Sequence, residues 1–140
     1  AADAQPSTGG AELVRVVDGD TLVVTHRPAE PRTEHVRLLN VNTPERGQPG
    51  FDEATSALRS LLGRAGSEVR IVYERDGRPT HDRYGRLLAY IMKGETNVNV
   101  ELVRLGWSRY ETEFGVGRFP QAFREAEAEA KRERRGLWGL

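Results

Sequence analysis

Two acids and two arginines stand within or just beyond the apolar runs of this chain: Asp20, Glu45, Arg37 and Arg86. Such a set suits phosphoryl chemistry. A divalent cation held by acids can polarise a phosphoryl oxygen, a carboxylate can activate water, and guanidinium forks can hold charge that grows in the transition state. Arg37 lies inside the apolar stretch VRLLNV, where a core-facing guanidinium would be costly without an anionic partner. The alternation equally permits it to face water. Arg86 follows a glycine and opens an apolar run, a rigid position from which a planar fork can hold a phosphate in two hydrogen bonds. Taken singly, Asp20 and Glu45 read more readily as ordinary surface acids; it is their company that points to chemistry.

The elements that must position these residues follow from hydrophobic spacing. Residues 12–17 and 21–25 are β-rich runs separated by Asp18-Gly19, a pair suited to a type I′ hairpin turn, which sets Asp20 just beyond the turn. A third strand is predicted over 35–41 and is stopped by Thr43-Pro44. Phe51, Leu58, Leu61, Leu62 and Ala65 share one helical face, with Asp52 as candidate N-cap and Gly66 as stop. Strands over 68–74 and 86–92 flank a polar loop, 75–85, that contains most of HDRYGR. A short helix over 97–105 ends at Gly106, and a last helix runs from Pro120 to Arg135 with Gly136 as its left-handed cap and Leu137-Trp138 folding back. Three strands, a helix and two strands in about 90 residues is the order of an OB-type five-stranded Greek-key barrel. The fold class is therefore α+β, mainly β, with about three helices packed on the barrel.

Composition narrows the function. At 140 residues, one domain is expected over 11–140, behind a flexible arm over 1–10 that lacks the cationic and apolar segments of a signal peptide. With 37% hydrophobic and 30% charged residues the chain is too apolar for disorder, and no apolar run approaches a membrane span. Zero cysteines exclude disulfides, thiolate metal sites and cysteine nucleophiles. Lys+Arg 21 balances Asp+Glu 21, so any nucleic-acid binding must come from a local patch. The run EAEAEAKRERR reads as the solvated face of the last helix. An oligonucleotide-coating barrel would need aromatic platforms and a basic groove, and 7% aromatic residues with zero net charge give it no support.

The segments VVDGDTLVV, VRLLNVNTPE and HDRYGRLLAYI resemble the three signatures of the staphylococcal-nuclease-like (thermonuclease) family. VNVELVRLGW, the acidic-basic final helix and the closing GLW extend the resemblance over nearly all of residues 11–138. It implies a calcium-dependent phosphodiesterase, with manganese as an alternative cation, that cuts DNA and RNA, preferably single-stranded or flexible, to leave 3′-phosphate and 5′-hydroxyl ends. It also implies a secreted or cell-envelope protein of a bacterium, and a monomer is expected. By the same resemblance Asp20 would be a metal ligand and Thr43 would offer its backbone carbonyl. Glu45 would orient or deprotonate the attacking water, Arg37 would contact the scissile phosphate, and Arg86 would also assist the leaving oxygen. Arg83 and Tyr84 match a cation and a tyrosine that contact a terminal phosphate, although Tyr84 also fits simple barrel packing.

One departure bears on the metal. The family motif DTPE begins here with Asn42, so a second anionic ligand becomes a neutral amide. A unit charge at about 2.4 Å from a dication is worth roughly 3 kcal/mol even at the dielectric of water, and the amide dipole recovers part of that. Calcium binding weaker by about 10- to 100-fold is expected. Asp18 could add charge through a water, but a turn role suits it better. The loop 46–50 is shorter than its family counterpart and lacks lysines. Near Trp107 and Tyr110 the family places aromatic residues beside the base, but Trp107 is read as barrel packing. His26 and His81 match no family catalytic position and are read as surface residues or local hydrogen-bonding partners. The alternative to an enzyme is a nuclease-like OB module that has lost its metal and binds nucleic acid or a protein partner.

Overall fold

The computed structural model describes residues 7–26, 32–75 and 77–140. Five long strands close into a barrel: β1 (Ser7–Asp18), β2 (Thr21–His26), β3 (Arg32–Leu38), β4 (Glu68–Tyr73) and β6 (Leu87–Lys93). Neighbours in the order β3-β2-β1-β4-β6 are antiparallel. The barrel closes where β6 runs parallel to β3, in the register Val36↔Leu87, Arg37↔Leu88 and Leu38↔Ala89. Two short strands, β5 (Thr80–His81) and β7 (Thr96–Asn97), add to β6. Helix α1 (Phe51–Leu62) lies between β3 and β4, followed at the end of the chain by α2 (Val98–Arg104), α3 (Pro120–Arg132) and a 3₁₀ turn over Gly136–Gly139. This is the expected OB-type α+β fold.

Strand alternation explains why the barrel closes. Leu22, Val24, Val36, Leu38, Leu87, Ala89 and Ile91 are buried and point inward, and Leu58 and Leu62 of α1 with Phe123 of α3 join the same core. Asn99 is the buried polar exception and is fully satisfied. Its Oδ1 accepts from the Ile91 backbone N–H at 3.0 Å, and its Nδ2 donates to the Leu39 and Ala89 carbonyls at 3.0 and 3.1 Å. It thereby ties α2 to β6 and to the end of β3, the strand that carries Arg37.

Several local expectations change. Asp18 pairs with Thr21, so Gly19 and Asp20 themselves form the turn, and neither Asp18 nor Gly19 takes a positive φ, which excludes type I′. Gly19 is required by contact instead, since a Cβ there would lie 2.5 Å from Thr43 Oγ1 and 2.8 Å from Ala54 Cβ. β3 ends at Leu38 rather than Val41 because Asn40 turns the chain at φ 63°. Gly50, not Asp52, is the N-cap of α1, with Asp52 and Glu53 in the first turn. The helix stops at Gly63 before reaching Gly66. α3 ends at Arg132, and Gly136 opens the 3₁₀ turn that carries Leu137 and Trp138 back onto the body. β1 begins at Ser7, inside the segment read as an arm, while residues 1–6 lie outside the described residues.

Candidate active site

Asp20 is held in place before any ligand arrives. The residue is 8% exposed, and its Oδ2 accepts from the Thr43 backbone N–H at 3.1 Å and from Thr43 Oγ1 at 3.2 Å. Its Oδ1 accepts from Thr21 Oγ1 at 3.0 Å. Arg37, on the outward row of β3, folds over the rim, and its Nη2 lies 3.5 Å from Asp20 Oδ2 and 3.4 Å from Asn42 Oδ1. Its Nη1 donates to the Leu38 and Val41 carbonyls at 2.8 and 2.7 Å. Two carbonyls thus fix one edge of the guanidinium, leaving the other to the acid and the amide. The backbone of Asn42 is pinned in turn, its N–H donating to the buried Ser108 hydroxyl at 2.8 Å. Asp18 Oδ1 accepts from the Asp20 N–H at 3.1 Å, the turn role expected of it. Burial and the neighbouring Asp20 charge push the Asp18 carboxyl above its ordinary value.

Arg83, Tyr84 and Arg86 sit on the turn between β5 and β6, and Asp82 organises all of it. Asp82 Oδ1 accepts from the Tyr84 and Arg86 backbone N–H groups, both at 2.9 Å, and its Oδ2 accepts from Arg86 Nε at 2.7 Å. Burial pushes this carboxyl up, but the hydrogen bonds from Arg86 and Tyr84 and the Arg86 charge outweigh it and hold it below the usual value. No described residue accepts from the two terminal nitrogens of Arg86. Tyr84 is 68% exposed, so it is not barrel packing. The guanidinium carbons of Arg83 and Arg86 lie 5.0 and 5.4 Å from its ring centre, and Arg83 Nη2 donates to its hydroxyl at 2.8 Å.

A cleft of about 700 Å³ joins the two groups: Arg37 and Asn42 line it from the β3 side, and Arg83, Tyr84 and Arg86 from the β5–β6 turn. Asp20 and Thr43 stand behind Arg37. Glu45 stands apart from these contacts on the exposed loop after Thr43, where its backbone N–H donates to Gln48 Oε1 at 2.7 Å. Its carboxylate makes no hydrogen bond or ion pair with any described residue. In the same loop the Arg46 guanidinium lies 5.1 Å from the Phe51 ring centre.

The opposite wall was not foreseen. Phe114, 90% exposed, lines the cleft with Glu111 and Glu113. Asn40 holds this segment, its Nδ2 donating to the Glu111 and Gly115 carbonyls at 2.9 and 3.1 Å, while its Oδ1 accepts from Tyr90 at 2.7 Å. Burial, with nearby acidic and phenolic groups adding to it, raises the Tyr90 hydroxyl to about 12 despite the Arg118 N–H, so it remains a donor. Gly117 is obligatory here, because a Cβ would lie 2.3 Å from both Asn40 Oδ1 and the Tyr90 hydroxyl. One signal was available in the sequence: an aromatic residue in a polar, glycine-bearing stretch, EFGVG. Trp107, half-buried, lies beside Gly50, the residue that precedes α1.

The donor chemistry suits a hard divalent cation: a carboxylate at Asp20, an amide oxygen at Asn42, and no sulfur or imidazole beside them. Only one of these two side chains is anionic. Among the described residues no group of three or more His, Asp or Glu side chains is arranged to hold a metal. The site therefore fits such an ion in donor type but carries little negative charge for it.

A closed OB-type barrel with an arginine-lined cleft at the β3 rim defines a class. The family model for staphylococcal nuclease homologues matches residues 35–139, and the chain belongs to this family. It is 30% identical over 129 residues to the thermonuclease of Staphylococcus intermedius, covering 89% of this chain and 73% of that protein. The thermonuclease of Staphylococcus hyicus is 26% identical over 134 residues, covering 91% and 74%. A protein of Escherichia coli O157:H7 named an uncharacterized endonuclease is 32% identical over 131 residues, covering 90% and 74%.

Proposed function

We propose that this protein is a nuclease that hydrolyses phosphodiester bonds in DNA and RNA, preferring single-stranded or flexible substrates and leaving 3′-phosphate and 5′-hydroxyl ends. The observation that carries the reading is the single cleft receiving guanidinium groups from two separate segments, Arg37 beside Asp20 and Arg86 beside Asp82. Family membership and relatives named as nucleases support it.

In this reading Arg37 and Arg86 bind the scissile phosphate and hold its growing charge, and the free terminal nitrogens of Arg86 suit it to the leaving oxygen. Glu45 takes a proton from the attacking water; its lack of a competing partner leaves both oxygens available for that. Water adds to phosphorus as Glu45 takes its proton, the bond to the 5′ oxygen breaks with the charge held by Arg86, and that oxygen takes a proton from solvent water while Glu45 returns its own to solvent. Arg83 and Tyr84 bind a neighbouring phosphate. Asp20, Asn42 and the Thr43 carbonyl would hold calcium, or manganese, which supplies charge neutralisation at the phosphate. Asn42 makes that binding weak, about 10- to 100-fold below an aspartate site. The protein is a monomer that works outside the cytoplasm of a bacterium.

The test is cleavage of a labelled single-stranded DNA at millimolar calcium, with end-group analysis of the fragments. Fragments carrying 5′-hydroxyl and 3′-phosphate ends support the reading; the opposite ends, or full turnover in excess chelator, contradict it. One observation favours a binding module instead: Asp20, the acid beside the cleft, is already occupied by Thr43 and Arg37. Oligonucleotide binding without any cleavage at millimolar calcium decides for that reading.

A further inference from the structure

A second cavity, of about 680 Å³, lies on the other side of Tyr84 and Arg86, which line both cavities. Its remaining lining comes mainly from β3: Arg32, Thr33, Glu34 and His35. On this strand Val36 and Leu38 point into the core, so Thr33, His35 and Arg37 form the outward row. Successive members of that row are about 6.6 Å apart, so the row leads from Arg37 in the first cleft to the second cavity.

We propose that the second cavity is a subsite for the next nucleotide of a single strand whose scissile phosphate lies in the first cleft, with Arg32 taking its phosphate and Tyr84 and His35 packing against its base. The inference rests on the nuclease reading above. Three features suit the cavity to this ligand. It is an open depression beside the first cleft, as a strand running on past Tyr84 and Arg86 requires. Arg32 is 66% exposed at its mouth, and Arg86 adds a second guanidinium. Tyr84, 68% exposed, lines the cavity, and an aromatic ring is a sequence-tolerant partner for a base.

The one acid in the lining does not oppose an anion strongly. Glu34 is 13% exposed, and both its oxygens are engaged, Oε2 at 2.6 Å from His26 Nε2 and Oε1 at 2.6 Å from His81 Nε2, with Arg32 Nη2 3.7 Å from Oε2. The same clasp ties β5 to β2 and β3, and so sets the base of the turn carrying Tyr84 against the cavity.

The experiment compares a two-nucleotide DNA, which ends before the second cavity, with a twelve-nucleotide single strand of the same composition. Wild type, Arg32→Ala/His35→Ala and Arg32→Glu are assayed for kcat and KM across a salt series, with thermal melts beside them. For the longer DNA the double variant is expected to lose about 10-fold in kcat/KM, mainly through KM, and the salt slope to fall by roughly 0.7 for one lost phosphate contact. The two-nucleotide DNA should be cut at the wild-type rate, and Arg32→Glu should weaken the longer substrate further. Equal losses on both DNAs, or no loss on the longer one, overturn the subsite. If wild type cuts neither DNA, the nuclease reading fails, and anisotropy of the labelled twelve-nucleotide strand tests the cavity alone: weaker binding by the variants supports it and unchanged binding overturns it.

Discussion

The two sides of the cleft are built on different principles. On the β3 side, Asp20, Thr43 and Arg37 are buried or half-buried, and hydrogen bonds and an ion pair join them to one another, to the Asp18, Thr21 and Asn42 side chains and to the Leu38 and Val41 carbonyls. On the β5–β6 side, the exposed Tyr84 and the half-buried Arg86 hang on a single carboxylate, Asp82. The first side is pre-organised by the barrel, because the β1–β2 turn, the end of β3 and Thr43 all meet there. The second is a turn closed by the Asp82 N–H to Arg86 carbonyl and Gly85 N–H to Asp82 carbonyl bonds, on which the Asp82 carboxylate orients Arg86 and whose guanidinium tip stays open. Fixing the group that must carry charge while leaving open the group that must follow a leaving oxygen is consistent with phosphoryl transfer.

That contrast can be broken at its rigid end first. Arg37→Ala removes the cation beside Asp20 and leaves the Leu38 and Val41 carbonyls without their donor, so both activity and stability should suffer. A fall in kcat of about 10²- to 10³-fold is expected, with a loss of about 1–3 kcal/mol in denaturant unfolding. At the open end, Asp82→Ala should separate the two effects. Steady-state assays should show cleavage reduced by about 10- to 100-fold as Arg86 and Tyr84 lose their common anchor, while denaturant unfolding changes by less than about 1 kcal/mol.

The smallest effect concerns acid. Glu34 is raised by burial, but its hydrogen bonds to His26 and His81 and their charge outweigh this and hold it below its ordinary 4.5. A depressed folded value means that its contribution is present above the unfolded value and is lost as pH falls through the depressed one. Glu34→Gln should therefore unfold with a flatter dependence on pH below about 4.5, measured as the denaturation midpoint against pH. An unchanged profile would mean that the clasp adds nothing to folding.

Much of this was legible in the sequence because it is local. A β-rich run marked β2 and alternation marked β4, and the DGDT, NTPE and DRYGR segments fall at strand ends and turns of the barrel. What was missed depends on distant partners. β5 is two residues long and exists only by pairing with β6, so no periodicity announces it. The Glu34 clasp joins His26 and His81 across 8 and 47 residues of chain. Gly19 suggested a positive-φ turn, yet it is selected by contact with Thr43 and Ala54. Gly66 is read from the sequence as the stop of α1, yet the chain leaves the helix at Gly63, which takes φ 86°. Glu45 illustrates the limit from the other side: its type and motif point to catalysis, while its carboxylate has no contact that the fold could have imposed.

In the proposed mechanism the Asp20 side would hold a weakly bound metal and act together with Glu45. The most direct test of this mechanism is a calcium and manganese titration of single-stranded DNA cleavage by wild type, Asn42→Asp and Glu45→Gln. The account predicts cutting by wild type at millimolar metal, a requirement lowered about 10- to 100-fold by Asn42→Asp, and abolition by Glu45→Gln. Full wild-type turnover in excess chelator, or an Asn42→Asp titration that superimposes on wild type, would contradict it.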